Sequence, residues 1–122
     1  MKIISLDQVP KLKLDMMGTK GVHKQVSISR DDGTPSFCFR VFSLEPGGYT
    51  PFHAHPFEHL NYVIEGKGAL VNEDNQEHPV KKGDFAFLPP DEKHQFRNQS
   101  DTEELVFICA VPNEYQWLGL DD

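Results

Sequence analysis

Four histidines in this sequence have the spacing of a metal site. His53, His55 and His59 fall within seven residues, and His94 follows thirty-five positions after His59. In an extended segment, residues 53 and 55 point to the same side, so their two imidazoles are presented to one point. Neutral imidazole is a common ligand of Zn, Cu, Fe and Ni, and four such ligands leave the charge of a divalent ion uncompensated. The pattern therefore predicts one divalent transition metal per chain.

The composition is that of an ordinary globular protein and argues against several classes of partner. The 122 residues include 12 basic and 19 acidic side chains, for a formal net charge of −7, and 38% of the residues are hydrophobic. The basic residues do not cluster, which disfavours nucleic acid and anionic membranes as partners. No apolar run has the length of a membrane span, and the first residues lack the apolar core of a signal peptide. We therefore expect a cytoplasmic protein.

Short β-rich runs separated by turn residues predict an all-β fold. Nine prolines and nine glycines are spread along the chain, and clusters such as Glu45-Pro46-Gly47-Gly48 have the composition of turns. The predicted strands are 22–30, 37–45, 49–52, 60–65, 68–72, 78–81, 84–88, 94–97 and 103–111. This rhythm is typical of a single-domain jelly-roll barrel with little helix. We expect residues 1–20 to form an N-terminal arm or edge segment, residues 21–113 the barrel, and residues 114–122 a C-terminal tail with a last turn at 115–120.

The residues around the histidines resemble the two sequence motifs of the cupin superfamily. The positions that match, each at its usual spacing, are Gly47, His53, His55, residue 59 and Gly66 in the first motif and Gly83, Pro89, His94 and Asn98 in the second. The order and separation of the two motifs are those of small cupins. The resemblance implies a jelly-roll barrel with a metal in its mouth, held by ligands from facing strands.

Two residues depart from the usual cupin pattern. The common motif has glutamate where this sequence has His59, and Glu58 lies one position earlier. A one-residue slip turns a strand side chain to the opposite face, so His59 is the expected third ligand and Glu58 faces outward or contacts a ligand. Here the sequence resembles a subset of small single-domain cupins that bind metal through four histidines. The second departure is Asp91 in place of glycine, at a turn with a positive φ that aspartate tolerates.

Strand alternation and local composition also predict a lining for the site. The candidate lining residues are Arg40, Phe52, Asn61, Phe96 and Cys109. Core packing is the alternative role for the two phenylalanines. Arg40, inside an apolar strand, either faces solvent or binds an anionic substrate in the pocket. Cys109 is either a buried thiol, as expected for Cys38, or a group that approaches the metal from the barrel wall.

Four histidines on one side of an octahedral ion leave two adjacent positions for water, substrate or dioxygen. Such a site suits enediols, diketones, 2-oxo acids or oxalate-like anions, and its charge stabilises an enolate. We therefore favour a Mn- or Fe-dependent oxygenase or related oxidoreductase acting on a small oxygen-rich molecule, with Zn, Ni or Cu as the other metals. The candidate catalytic residues beyond the ligands are Arg40, Tyr49 and Tyr62.

Other functions stay open at this point. One is a non-catalytic cupin that binds or senses a small molecule, and another is a structural zinc that only stabilises the barrel. A metal-dependent isomerase or lyase is the enzymatic alternative, although it needs a proton carrier that the sequence does not identify. The family resemblance also implies a homodimer, in which N-terminal strands pair between subunits and cover exposed sheet edges.

Overall fold

A computed structural model describes residues 1–114; the last turn predicted at 115–120 lies outside the described residues. The strands in this part of the chain are β1 (Leu12–Lys13), β2 (Lys20–Ile28), β3 (Phe37–Tyr49), β4 (His59–Glu65), β5 (Lys67–Val71), β6 (Glu77–Lys81), β7 (Phe85–Leu88), β8 (Gln95–Arg97) and β9 (Leu105–Pro112). Two 3₁₀ turns cover Leu6–Gln8 and Arg30–Asp32. No helix among residues 1–114 is long and apolar enough to cross a membrane.

The strands form one curled antiparallel sheet. Its order is β6-β5-β8-β3-β9-β4-β7, and β2 pairs with β3 while β1 pairs with β2. The expected N-terminal segment therefore contributes β1 to the edge of the same chain's sheet. This architecture confirms the predicted all-β jelly roll.

Apolar side chains at alternate strand positions fill the inside of the curled sheet. In β9, Leu105, Phe107, Cys109 and Val111 are buried at every second position, and Val106 on the other face is buried as well. The four alternating side chains join a core whose other members include Phe42 and Leu44 from β3, Phe96 from β8 and Val63 from β4. Burial of this apolar surface is the main force that closes the sheet.

The segment 45–48 is not the turn that its composition predicts. β3 continues through it, and the register with β2 shifts between Val22↔Leu44 and Lys20↔Tyr49, so β3 carries extra residues in a bulge. Gly47 has a φ of +76°, and a Cβ on Gly48 would lie 2.7 Å from Lys20 O. The glycines that predict a turn therefore lie in a bulge, which bends the strand without ending it.

Asn98 stabilises this bulge from the neighbouring segment. Its Nδ2 donates to Leu44 O at 3.0 Å, Glu45 O at 3.2 Å and Glu103 O at 2.7 Å, and its side chain is buried. Backbone N–H of Asn98 also donates to Gly48 O at 2.8 Å. These bonds replace ladder bonds that the bulge removes.

A substitution at Gly66 tests how closely the turn between β4 and β5 packs against the residue before β9. Its φ is +83°, and a Cβ there would overlap the carbonyl oxygen of Glu104, whereas Gly83 has a φ of +96° with open space around it. We expect Gly83→Ala to cost about 1–2 kcal/mol of unfolding free energy from its left-handed backbone alone. Gly66→Ala adds a backbone overlap and is expected to cost about 1–3 kcal/mol more. Urea unfolding of the two variants measures the difference, and equal losses would contradict the close packing.

Candidate metal centre

The segment between β3 and β4 and the residue before β8 bring three histidines together. His53 forms an isolated antiparallel bridge with His94, with N–O distances of 3.2 and 3.0 Å. One ring nitrogen each of His53, His55 and His94 lies within 4.8 Å of the other two. His55 and His94 are buried, and His53 is half-buried. This backbone pairing sets the distance between the two halves of the site.

His59, the first residue of β4, lies beside this group and not within it. Its Nε2 is 3.2 Å from His55 Nδ1, and its ring centroid is 5.2 Å from that of His94. Two nitrogens bonded to one ion at about 2.1 Å lie about 3.0 Å apart at a right angle and about 3.4 Å apart in a tetrahedron. The 3.2 Å separation of His55 and His59 is that of a hydrogen bond between the two rings, and it also fits two ligands of one ion. An all-imidazole donor set suits a divalent transition metal.

Neighbouring groups hold these rings in place. Phe57 is buried, lies 4.7 Å from the His55 ring and stacks on the His59 ring at 5.2 Å. His94 Nδ1 is 3.0 Å from Glu92 O. Because a carbonyl oxygen only accepts, Nδ1 carries the hydrogen of this bond and the Nε2 lone pair is left to bind an ion.

Asp91 confirms the expectation of a positive backbone angle, since its φ is +67°. Its N–H donates to His55 O at 2.6 Å. The turn that leads to His94 is thereby joined directly to the segment that carries His55.

Arg40 and Cys109 lie behind His59 in the barrel interior. Arg40 is 0% exposed, so its guanidinium does not face solvent. Its Nη2 lies 3.1 Å from Cys109 Sγ, and the same sulfur lies 3.2 Å from His59 Nδ1. The guanidinium carbon is also 5.0 Å from the centroid of the Phe42 ring. Two nitrogen groups thus converge on one buried sulfur.

A cavity of about 10 Å³ lies against His59 and His94. Its lining consists of Phe42, Thr50, His59, Asn61, His94, Phe96, Phe107 and Cys109. Five of these are candidates from the sequence: Asn61, Phe96 and Cys109 as lining residues, and His59 and His94 as metal ligands. Strict alternation along β9 could also have found Phe107. Nothing in the sequence singles out Thr50, whose hydroxyl oxygen accepts from Phe96 N at 2.9 Å.

The other candidate residues lie outside this cavity lining. Phe52 is half-buried, with its ring 5.9 Å from Lys93 Nζ. Tyr49 lies near the guanidinium of Arg97, which is 5.8 Å from its ring centroid. Tyr62 packs at 4.5 Å against Phe85, a side chain that is 82% exposed, so Tyr62 belongs to the outer face of the sheet.

Solved structures and curated sequences extend this picture. The polyketide cyclase RemF from Streptomyces resistomycificus is similar over 92% of this chain and 79% of its own, with 30% identity and a TM-score of 0.86. Polyketide synthase CurC of Streptomyces cyaneus is 30% identical over 81 residues, which cover 66% of this chain and 52% of CurC. Gentisate 1,2 dioxygenase 1 of Aquipseudomonas alcaligenes is 36% identical over 56 residues, covering 46% of this chain and 16% of the dioxygenase.

The chain spans about half the length of most of the curated relatives that it matches. Residues 40–111 match the Cupin_2 family, described as a cupin domain, and this range holds both histidine motifs and the strands that present them. With the jelly-roll topology and the histidine cluster already described, the match leads to one conclusion: this chain belongs to the cupin family.

Proposed function

We propose that this cupin binds one divalent transition metal through His53, His55, His59 and His94 and acts on a small molecule rich in carbonyl and enol oxygens. The observation that carries this proposal is the convergence of imidazoles on one point. Three ring nitrogens lie within 4.8 Å, and His59 Nε2 lies 3.2 Å from His55. The cavity lining, taken over the described residues, includes no carboxylate.

The neutral charge of the four candidate imidazole ligands determines what such an ion would contribute. A divalent ion held by neutral imidazoles keeps its charge, so it polarises a carbonyl oxygen and stabilises the negative charge of an enolate. The small cavity has room for only one small group, about the size of a water molecule. Most of a substrate would therefore lie on the mouth side, where His53 is half-buried.

Residues around the cavity have separate roles in this proposal. Phe42, Phe96 and Phe107 form an apolar wall that excludes water. Asn61 Oδ1 is buried and has no hydrogen-bond partner within residues 1–114, so it is suited to accept from a hydroxyl group. The side chains thus orient a polar group against an otherwise apolar surface.

The reaction that we propose is a non-oxidative ring closure of a poly-β-carbonyl chain. An enol carbon attacks a carbonyl carbon of the same molecule, and the new alkoxide oxygen takes up the enol proton to become a hydroxyl. That hydroxyl then leaves as water with the remaining hydrogen of the attacking carbon, and a carbon–carbon double bond forms between the two joined carbons. RemF, which is similar over 92% of this chain, is a polyketide cyclase by name, which supports this class. Carbon between two carbonyls is acidic by itself, so this substrate class does not need a strong protein base, which the sequence does not identify.

Cys109 also favours a non-oxidative reaction. Its sulfur lies 3.2 Å from His59 Nδ1, beside the proposed ion. A thiol next to a metal that activates dioxygen is liable to oxidation. Chemistry that uses the ion only as a Lewis acid avoids that liability.

The second candidate is the Mn- or Fe-dependent oxygenase that the sequence analysis favours. The identity of 36% with gentisate 1,2 dioxygenase 1 over 56 residues supports it. Four imidazole ligands also leave adjacent positions on an octahedral ion, as dioxygen and a chelating substrate require. The two candidates differ in one measurable respect, which is the consumption of dioxygen.

We expect protein loaded separately with Zn²⁺, Mn²⁺ or Fe²⁺ to convert a linear poly-β-keto thioester into a cyclic product that has lost one water. The ion should raise the rate at least about 100-fold over metal-free protein, the order of magnitude of one electrostatic contribution to a transition state. Mass spectrometry identifies the product, and an oxygen electrode should record no uptake. Dioxygen uptake in step with product formation would contradict the cyclase proposal and support the oxygenase. Binding without turnover by any loaded form would indicate a sensor or carrier.

We also propose that the outer face of the sheet binds a second copy of this chain. Phe39, Ala110, Leu60 and Phe87 lie side by side on four neighbouring strands, in the order β3, β9, β4 and β7. Phe39 is 49% exposed, Leu60 48% and Phe87 62%, and Phe85 extends the same face. A continuous apolar row of this length is typical of an interface. A self-association face also accords with the homodimer that the resemblance implies.

Phe87→Lys tests this face directly. The charge would be placed in the apolar interface, so we expect light scattering to give the mass of a monomer for the variant and of a dimer for the parent. Met17→Lys, at a position that is 98% exposed and outside this row, is the matched control and should stay dimeric. Deletion of residues 1–15 distinguishes a dimer formed through this face from a dimer formed by exchanged N-terminal arms. The deletion should abolish the dimer only if the arms are exchanged. A dimeric Phe87→Lys protein would contradict the proposed interface.

A further inference from the structure

We infer that Arg40 and Cys109 are positioning residues that hold His59 in the orientation and tautomer required for metal binding. This inference rests on the proposed metal site. Three contacts run through the barrel interior: Arg40 Nη2 to Cys109 Sγ at 3.1 Å, Sγ to His59 Nδ1 at 3.2 Å, and His59 Nε2 to His55 Nδ1 at 3.2 Å. All four side chains are buried.

The sheet, more than side-chain flexibility, determines this arrangement. Cys109 on β9 pairs with Arg40 on β3 at one side and with Asn61 on β4 at the other. His59 precedes Asn61 by two residues and therefore shares its face. Cross-strand neighbours on one face are close enough for their side chains to touch. The sulfur is consequently held between the guanidinium and the imidazole by backbone register.

The chemistry of the guanidinium, the sulfur and the imidazole determines which group donates and which accepts in each hydrogen bond. A guanidinium only donates, so the sulfur accepts from Arg40. When His59 binds an ion through Nε2, its Nδ1 must carry hydrogen and needs an acceptor, and Cys109 Sγ lies within reach. The positive charge of Arg40 beside the sulfur favours that accepting role. The sulfur thus stabilises the His59 tautomer whose Nε2 lone pair faces His55.

Core packing does not account for a guanidinium at this position. Arg40 is 0% exposed, on a strand whose other inward side chains include Cys38 and Phe42. Transfer of a charge to such an interior is unfavourable unless specific partners stabilise it, and an apolar side chain of similar volume would fill the space at lower cost. A role in orienting the sulfur explains why a cation is present.

A pair of cysteine variants tests the inference, because the chain contains a matched control. Cys38 and Cys109 are both free and both 1% exposed, and Cys38 pairs with Val111 between the same two strands. We expect Cys109→Val to weaken Zn²⁺ binding about 10- to 100-fold, the usual effect of removing a group that supports a ligand. Cys38→Val should leave Zn²⁺ affinity unchanged, and Cys109→Ser should recover most of the lost affinity because a hydroxyl also accepts. Chelator competition on full-length protein measures all three, and circular dichroism verifies that each is folded.

A second measurement does not depend on metal affinity. Nitrogen chemical shifts of the His59 ring report its tautomer, and we expect hydrogen on Nδ1 in the parent and in Cys109→Ser, with a shift towards the other tautomer in Cys109→Val. Arg40→Met should move the shifts in the same direction, and the double variant with Cys109→Val should add little to either single variant. Equal loss of Zn²⁺ affinity in both valine variants, or an unchanged His59 tautomer in Cys109→Val, would overturn the inference. A parent protein that binds no Zn²⁺ would instead contradict the proposed metal site, whatever the tautomer.

Discussion

The backbone pairing of His53 with His94 is the contact on which the candidate metal centre depends. These residues are far apart in sequence, and the two hydrogen bonds between them, at 3.2 and 3.0 Å, hold one motif directly against the other at the histidines. Further bonds extend the join, from Thr50 N to Phe96 O at 3.0 Å and from Asp91 N to His55 O at 2.6 Å. The imidazoles converge because the peptide groups beside them are already paired. A metal would therefore bind to an arrangement that the backbone has largely formed in advance.

The candidate metal centre also depends on the bulge in β3. This bulge sets the direction in which the chain leaves β3 towards His53. The extra residues between Leu44 and Tyr49 displace the register, and Asn98 satisfies the carbonyls that the bulge exposes. Asn98 follows β8, which pairs with β5 and with the end of β3. One buried amide thus couples the bulge in β3 to the strand after His94. Fold and site share these polar contacts, so the residues that close the barrel also align the ligands.

Much of this architecture could be predicted from the sequence, because apolar residues alternate along the strands and turn residues separate them. Outside the bulge, most strand boundaries agree within two residues because glycine, proline and apolar alternation mark them directly. The separate strand predicted at 49–52 is wrong, because β3 continues to Tyr49 and residues 50–52 lie outside the strands. The positive φ of Asp91 was predictable because few residues tolerate it. The turn predicted at 45–48 is a bulge in the structure, and the two are hard to tell apart in sequence because both use glycine with a positive φ. The contact of Arg40 with Cys109 could not be predicted, because these residues are 69 positions apart and meet only through the register of β3 with β9. Local composition does not determine that register.

Elemental analysis of untagged protein, purified without chelators, is the most direct test of a metal centre at these histidines. We expect about one divalent transition metal ion per chain in the parent, which is the capacity of a single four-histidine site. His59→Ala should lose the ion, whereas His78→Ala, at an exposed histidine outside the four candidate ligands, should retain it. Metal absent from the parent, or retained in full by His59→Ala, would contradict a metal centre built on these four histidines.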